Sequence, residues 1–113
     1  MTILDSIVKD KRREVDLRKS IIPITQLEAS VLFDRKTISL AANLKQSNSG
    51  IIAEHKRRSP SKAVINQNLN VFDVATGYEE AGVCGMSVLT DSKYFGGSLD
   101  DLLVARASCN LPL

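Results

Sequence analysis

Residues 51–61 read IIAEHKRRSPS, and the fold turns on how this stretch is read. The apolar run Ile51-Ile52-Ala53 leads straight into Glu54 and Lys56, then into a polar loop opened by Ser59-Pro60-Ser61. An apolar run bounded by turn residues is a strand signal. Side chains alternate along a strand, so Ile52, Glu54 and Lys56 share one face and His55 takes the other. Glu54 and Lys56 then lie together at the C-terminal end of the strand, where parallel α/β folds build their active sites. A carboxylate beside an amine at that place suits acid–base chemistry on an anionic substrate.

The flanking sequence supplies the rest of the pattern. Upstream, Ser47-Asn48-Ser49-Gly50 is a turn into the strand. Downstream, a polar loop over 57–69 precedes a helix predicted for 69–81, with Val71, Val74, Ala75 and Tyr78 on one stripe and Gly82 at its end. A second strand is predicted for 84–90. The loop after it contains Gly96-Gly97, and Ser98 caps a further helix whose apolar side reads as Leu99, Leu102, Leu103 and Ala105. Strand, helix, strand, helix is the βαβ order of a parallel sheet with right-handed crossovers. The last residues, Asn110-Leu111-Pro112-Leu113, read as the lead-in to a third strand.

Residues 2–19 read as a helix with Thr2 as its cap, and KDKRREVDLRK within it as a solvated face of mixed charge. Pro23 breaks it; a short helix around 24–29 and another over 38–46, capped by Thr37 or Ser39, follow. The expected organisation is a helical extension, 1–47, and an α/β portion, 48–113.

Composition narrows the function classes. A net charge of +2 is too small to argue for nucleic acid by itself. With 43% hydrophobic and 25% charged residues, the chain has the make-up of a globular protein, and at 4% aromatic its core is mostly aliphatic. Cys84 and Cys109 do not form a disulfide framework, and with no secretory leader they fit a reducing cytoplasm; Cys84 reads as a small buried hydrophobe. One histidine without paired ligand spacing argues against a metal, and no apolar run is long enough to span a membrane. Neither a glycine-rich dinucleotide fingerprint nor a P-loop is present.

IIAEHKRRSPSK followed by YEEAGVCGMSVLTDSKYFGGSLDDL resembles the indole-3-glycerol phosphate synthase family of tryptophan biosynthesis. The resemblance is strong from Leu40 to Leu113, and Met1–Ser39 looks like that family's N-terminal extension. It implies a (β/α)8 TIM barrel and a decarboxylating carbon–carbon lyase. That enzyme closes the indole ring of 1-(o-carboxyphenylamino)-1-deoxyribulose 5-phosphate, an anionic sugar-phosphate substrate, with loss of carbon dioxide and water. No cofactor and no metal are implied. Carried over by motif, Glu54 matches the glutamate of the first strand, and Lys56 the lysine that contacts the anionic groups of the substrate. Ser59 and Pro60 match the first loop lining the pocket. Ser87 and Leu89 match inward residues of the second strand, and Phe95 the aromatic residue bordering the anthranilate ring.

Two departures stand out. His55 replaces a bulky apolar residue usual in the family, and its outward face makes it a packed side chain rather than a catalytic one. The family's third-strand lysine, the proton donor, does not appear before Leu113, nor do the other catalytic carboxylate and the main phosphate loops. A (β/α)8 barrel takes about 200 residues at the least. The expectation is therefore a partial barrel of two parallel strands, inactive in ring closure by itself, that self-associates or needs the missing C-terminal part. Two other readings remain: a partial-barrel piece that works with a partner chain, and a phosphate- or nucleic-acid-binding module built on HKRRSPSK.

Overall fold

The computed structural model describes residues 1–65 and 68–113. The chain divides into two compact units, Met1–Lys36 and Thr37–Leu113.

The first unit is helical. Helix α1, Ile3–Ile21, starts in a reciprocal capping box: the Asp5 amide donates to Thr2 Oγ1 at 3.1 Å, and the Thr2 amide donates to Asp5 Oδ2 at 2.8 Å. The bond from the Thr2 amide, and then one from its hydroxyl at 2.8 Å, hold the Asp5 carboxyl below its ordinary pKa. Along the helix Glu14 pairs with Lys11 at 2.6 Å and with Arg18 at 2.9 Å. No α1 residue is buried, as a solvated face of mixed charge requires. Pro23 starts the short helix α2, Ile24–Glu28, from an extended conformation. Among the described residues no helix is long and apolar enough to cross a membrane.

The second unit holds the sheet. Its elements run α3 (Leu40–Gln46), β1 (Ile52–His55), α4 (Val71–Glu80), β2 (Gly85–Val88) and α5 (Leu99–Ser108). The two strands pair in parallel, with Ile52 opposite Gly85 and Glu54 opposite Ser87. Both are shorter than the apolar runs suggested. Pairing begins when the Cys84 amide donates to the Ile51 carbonyl and ends when the Leu89 amide reaches the His55 carbonyl, so Lys56 and Leu89 stand just beyond the strands.

Helix α4 covers one side of the sheet through the expected stripe. Val71 and Ala75 are buried, and Val74 and Tyr78 pack beside them. Asn70 caps its start by accepting from the Phe72 amide at 2.9 Å. Its end is a Schellman turn: the Gly82 amide donates to Glu79 and the Val83 amide to Tyr78, with Gly82 at φ +83°. Met86, Ala105, Cys109 and Leu111 complete the core.

The apolar side expected for α5 is corrected. Ala105 is buried as expected, but Leu99 and Leu103 are 54% and 66% exposed, and Asp101 is buried instead. Six of the ten residues of LDDLLVARAS are apolar, so periodicity picks no single face. The ion pair described below makes burial of Asp101 tolerable.

Helix α3 lies with the sheet. Ser39 caps it at 3.1 Å to the Ala42 amide, and Asn43 Nδ2 donates to the Cys84 carbonyl at 3.2 Å. The side chain of Leu40 comes so near Gly85 that a Cβ there would meet its Cδ1 at 2.6 Å. On the far side of β2, the Met86 amide donates to the Pro112 carbonyl at 2.9 Å. The chain after α5 therefore lies along β2 as the sequence anticipated for a third strand.

Candidate active site

At the C-terminal ends of β1 and β2, four of the seven singled-out residues converge. Glu54 projects from β1 on the face opposite His55, and Ser87 stands across from it. Ser87 Oγ donates to Glu54 Oε2 at 3.3 Å, and Lys56 Nζ lies 3.1 Å from Oε1. Both carboxylate oxygens thus have a donor beside them. Lys56 Nζ also sits 5.5 Å from the centre of the Phe95 ring, within cation–π range.

Glu54 and Lys56 remain half open to water, so their attraction adds little to stability. The face that carries them is open too, with Ile52 49% exposed. A polar cluster that contributes little to folding and faces outward from a strand end is available to a ligand.

The other three residues stand apart. Ser59 closes its own tight turn with Lys62, through backbone bonds of 2.8 and 3.1 Å, and its hydroxyl meets Ser61 Oγ at 3.2 Å. Pro60 is exposed at the tip of that turn. Leu89 takes part through its backbone: its amide binds the His55 carbonyl, and its carbonyl lies against Gly97. A Cβ on Gly97 would come within 1.8 Å of that oxygen, so only glycine fits there.

The opposite face of β1 is structural. His55 is 2% exposed, and its Nε2 has no hydrogen-bond partner. Burial first, then the nearby Arg57 charge, pushes its pKa below the ordinary value, against a smaller opposing pull from Asp101. Arg57 grips Asp101 through two nitrogens at 3.0 and 2.9 Å. Among the described residues no three His, Cys, Asp or Glu side chains converge as a metal cluster.

Two contributors have no signature in the sequence. Tyr78 OH donates to the Glu54 carbonyl at 3.1 Å and steadies β1 from α4. Arg58 binds the loop that carries Phe95. The adjacent Gly96-Gly97 pair is the only sequence sign that something packs closely against that loop.

The family model for indole-3-glycerol phosphate synthase matches residues 4–113. The chain belongs to the indole-3-glycerol phosphate synthase family. Relatives agree over nearly all of it. It is 44% identical over 111 residues to the indole-3-glycerol phosphate synthase of Bacteroides thetaiotaomicron, covering 98% of this chain and 43% of that protein. The enzyme of the same name from Desulfosudis oleivorans is 41% identical over 115 residues, covering 98% of this chain and 44% of that protein. The one from Bacillus mycoides is 44% identical over 113 residues, covering 99% and 41%. The chain thus spans well under half the length of the indole-3-glycerol phosphate synthases it matches.

Proposed function

We propose that this chain supplies two strands of an indole-3-glycerol phosphate synthase site, the acid–base wall on which the indole ring is closed. The observation that carries the reading is the convergence of Glu54, Lys56 and Phe95 at the C-terminal ends of two parallel strands. The substrate, 1-(o-carboxyphenylamino)-1-deoxyribulose 5-phosphate, joins an aromatic carboxylate to a sugar phosphate. Lys56 attracts an anionic group of it, and Phe95 offers an apolar wall to the aromatic ring. Ring closure requires a proton delivered to the ketone oxygen, and dehydration requires proton removal. Glu54, oriented by Lys56 and Ser87, takes up or orients a proton in those steps. Ser87 stands beside Glu54 on this wall, whereas Ser59, Pro60 and Leu89 stand apart from the cluster and carry no part of this reading.

The remaining walls of the barrel lie in the part of the relatives' length this chain does not span. Two strands cannot close a barrel. The chain alone therefore performs no ring closure and works joined to, or assembled with, the other strands.

The test mixes the chain with a polypeptide supplying the rest of the Bacteroides thetaiotaomicron relative, then adds substrate. The expected result is indole-type fluorescence from the mixture, none from either piece, and its loss with Glu54→Gln. Ring closure by the mixture that ignores both Glu54→Gln and Lys56→Met would overturn the assignment.

The reading as a nucleic-acid-binding module gains nothing here. Arg57 is committed to Asp101 and Arg58 to backbone carbonyls, so HKRRSPSK offers no free row of guanidinium groups to a phosphate backbone.

A further inference from the structure

Arg58 leaves β1 beside Lys56, yet its side chain turns toward β2. Its Nη2 donates to the Ser92 carbonyl at 2.6 Å and to the Lys93 carbonyl at 3.0 Å. Its backbone amide donates to the Phe95 carbonyl at 3.3 Å. Its stem lies against Gly96, where a Cβ would meet Cγ and Nε at 3.2 Å and Cδ at 3.3 Å. Gly96 has φ +66°, so the backbone conformation favours glycine there, and a side chain would also press on the Arg58 stem. One residue thus grips the 92–96 loop at three backbone positions and along its surface.

The loop is also fastened on β2's own side. The Gly96 amide donates to Ser92 at 3.0 Å, the Gly97 amide to Asp91 at 2.8 Å, and the Tyr94 amide to Asp91 Oδ2 at 2.8 Å. These bonds shape the loop from within. Arg58 ties it to the chain that leaves β1, and the ring the loop carries is the one over Lys56.

We infer that Arg58 is a positioning residue: by gripping the 92–96 loop it holds the Phe95 ring against the Lys56 ammonium. A lysine stem is long and free to swing. Alone it accepts any small anion, but under a fixed aromatic ring it favours an anion attached to an aryl group. The role of Lys56 and Phe95 toward substrate rests on the function proposed above; the positioning itself does not.

The experiment reads the ring current of Phe95 at the Lys56 ε-protons by NMR of the ligand-free chain. Phe95→Leu defines the shift without a ring. Arg58→Met keeps the stem against Gly96 and removes the guanidinium. The expected result is loss of most of the ring-current shift in Arg58→Met and partial rescue in Arg58→Lys. The Met86 and Leu89 amides should stay protected, reporting intact pairing of β1 with β2. Should Arg58→Met weaken that pairing, Arg58→Gln gives the same reading with a smaller change. A ring-current shift that persists in a paired Arg58→Met or Arg58→Gln chain would overturn the inference. Anthranilate, added as a probe, separates the two levels. Dependence of the ring position on Arg58 with no anthranilate response in any chain would leave the positioning intact and count against the substrate reading.

Discussion

Arg57 donates to both oxygens of Asp101, from Nε at 3.0 Å and from Nη2 at 2.9 Å, and this bidentate pair joins the end of β1 to the first turn of α5. Arg57 Nη1 also reaches the Leu69 carbonyl at 3.2 Å. Asp101 is nearly buried, so removing either partner strands a charge. Asp101→Ala is expected to cost about 1.5–3 kcal/mol, the range for hydrogen bonds to charged groups. Urea denaturation checks this. The rejected alternative is a surface pair, which would cost under about 1 kcal/mol.

His55 makes stability depend on pH. Its folded pKa lies below the ordinary value of 6.5, chiefly because burial disfavours the imidazolium. Below about 6.5 the unfolded chain binds a proton that the folded chain resists. The stabilisation is therefore present above that value and lost as pH falls toward the folded pKa. The urea midpoint should drop between pH 7.5 and 5.5. His55→Phe, which fills the site without a titrating group, should flatten this window. An equal drop in both chains would assign the effect to other groups.

Gly97 and Gly50 predict opposite kinds of damage. At Gly97 a Cβ collides with backbone at 1.8 Å, so Gly97→Ala must shift the strand end and should cost about 3 kcal/mol. At Gly50 the space is open and only φ +62° resists, so Gly50→Ala should cost about 1–2 kcal/mol. Paired denaturation curves give the comparison. Similar costs at the two sites would mean the close approach at Gly97 relaxes freely.

The segment after α5 is held by polar bonds. Arg106 Nη2 donates to the Cys109 carbonyl at 2.9 Å and the Leu111 carbonyl at 2.8 Å, while the Asn110 amide donates to Glu79 Oε2 at 2.7 Å. These bonds place the Pro112 carbonyl on the Met86 amide. Arg106→Ala should let the segment lift. Hydrogen exchange at Met86 should then speed up roughly tenfold, from the loss of about 1.5 kcal/mol of charge-assisted bonding. An unchanged Met86 rate would show that Leu111 packing alone seats the segment.

In the assembled enzyme, Glu54→Gln should lower turnover by about 10²–10⁴-fold, the usual contribution of a positioned acid–base group. Lys56→Met should act more on KM, because it removes attraction for the bound anion. Steady-state kinetics of both variants separate the roles, and a Glu54→Gln enzyme altered only in KM would move Glu54 from proton handling to binding.

Much of the fold was legible because its signals are local. The capped start of α1, the stripe of α4, Gly82 after its last turn and the apolar runs at β1 and β2 each depend on neighbours within a few residues. The alternation of Glu54, His55 and Lys56 likewise assigned their faces, and His55 is buried as that alternation requires. The buried face of α5 was not legible, since its apolar residues lie all round and the choice was made by Asp101 meeting Arg57. At the loop end of the site the resemblance picked out Phe95, but the grip of Arg58 on that loop had only the glycine pair as a sign.

The sequence by itself determined the order of helices and strands, the family, and the side of β1 on which Glu54 and Lys56 stand, because periodicity and motif spacing are properties of a linear chain. Tertiary structure alone decided that Ser87 and Phe95 close on that pair while Ser59 and Pro60 turn away into their own loop. It also decided that Arg57 serves the packing of α5 and Arg58 the loop over Lys56. The physical reason is that these partners lie 33 to 44 residues apart in the chain. Their pairing depends on strand register and on the path of each loop, and neither is written in local sequence.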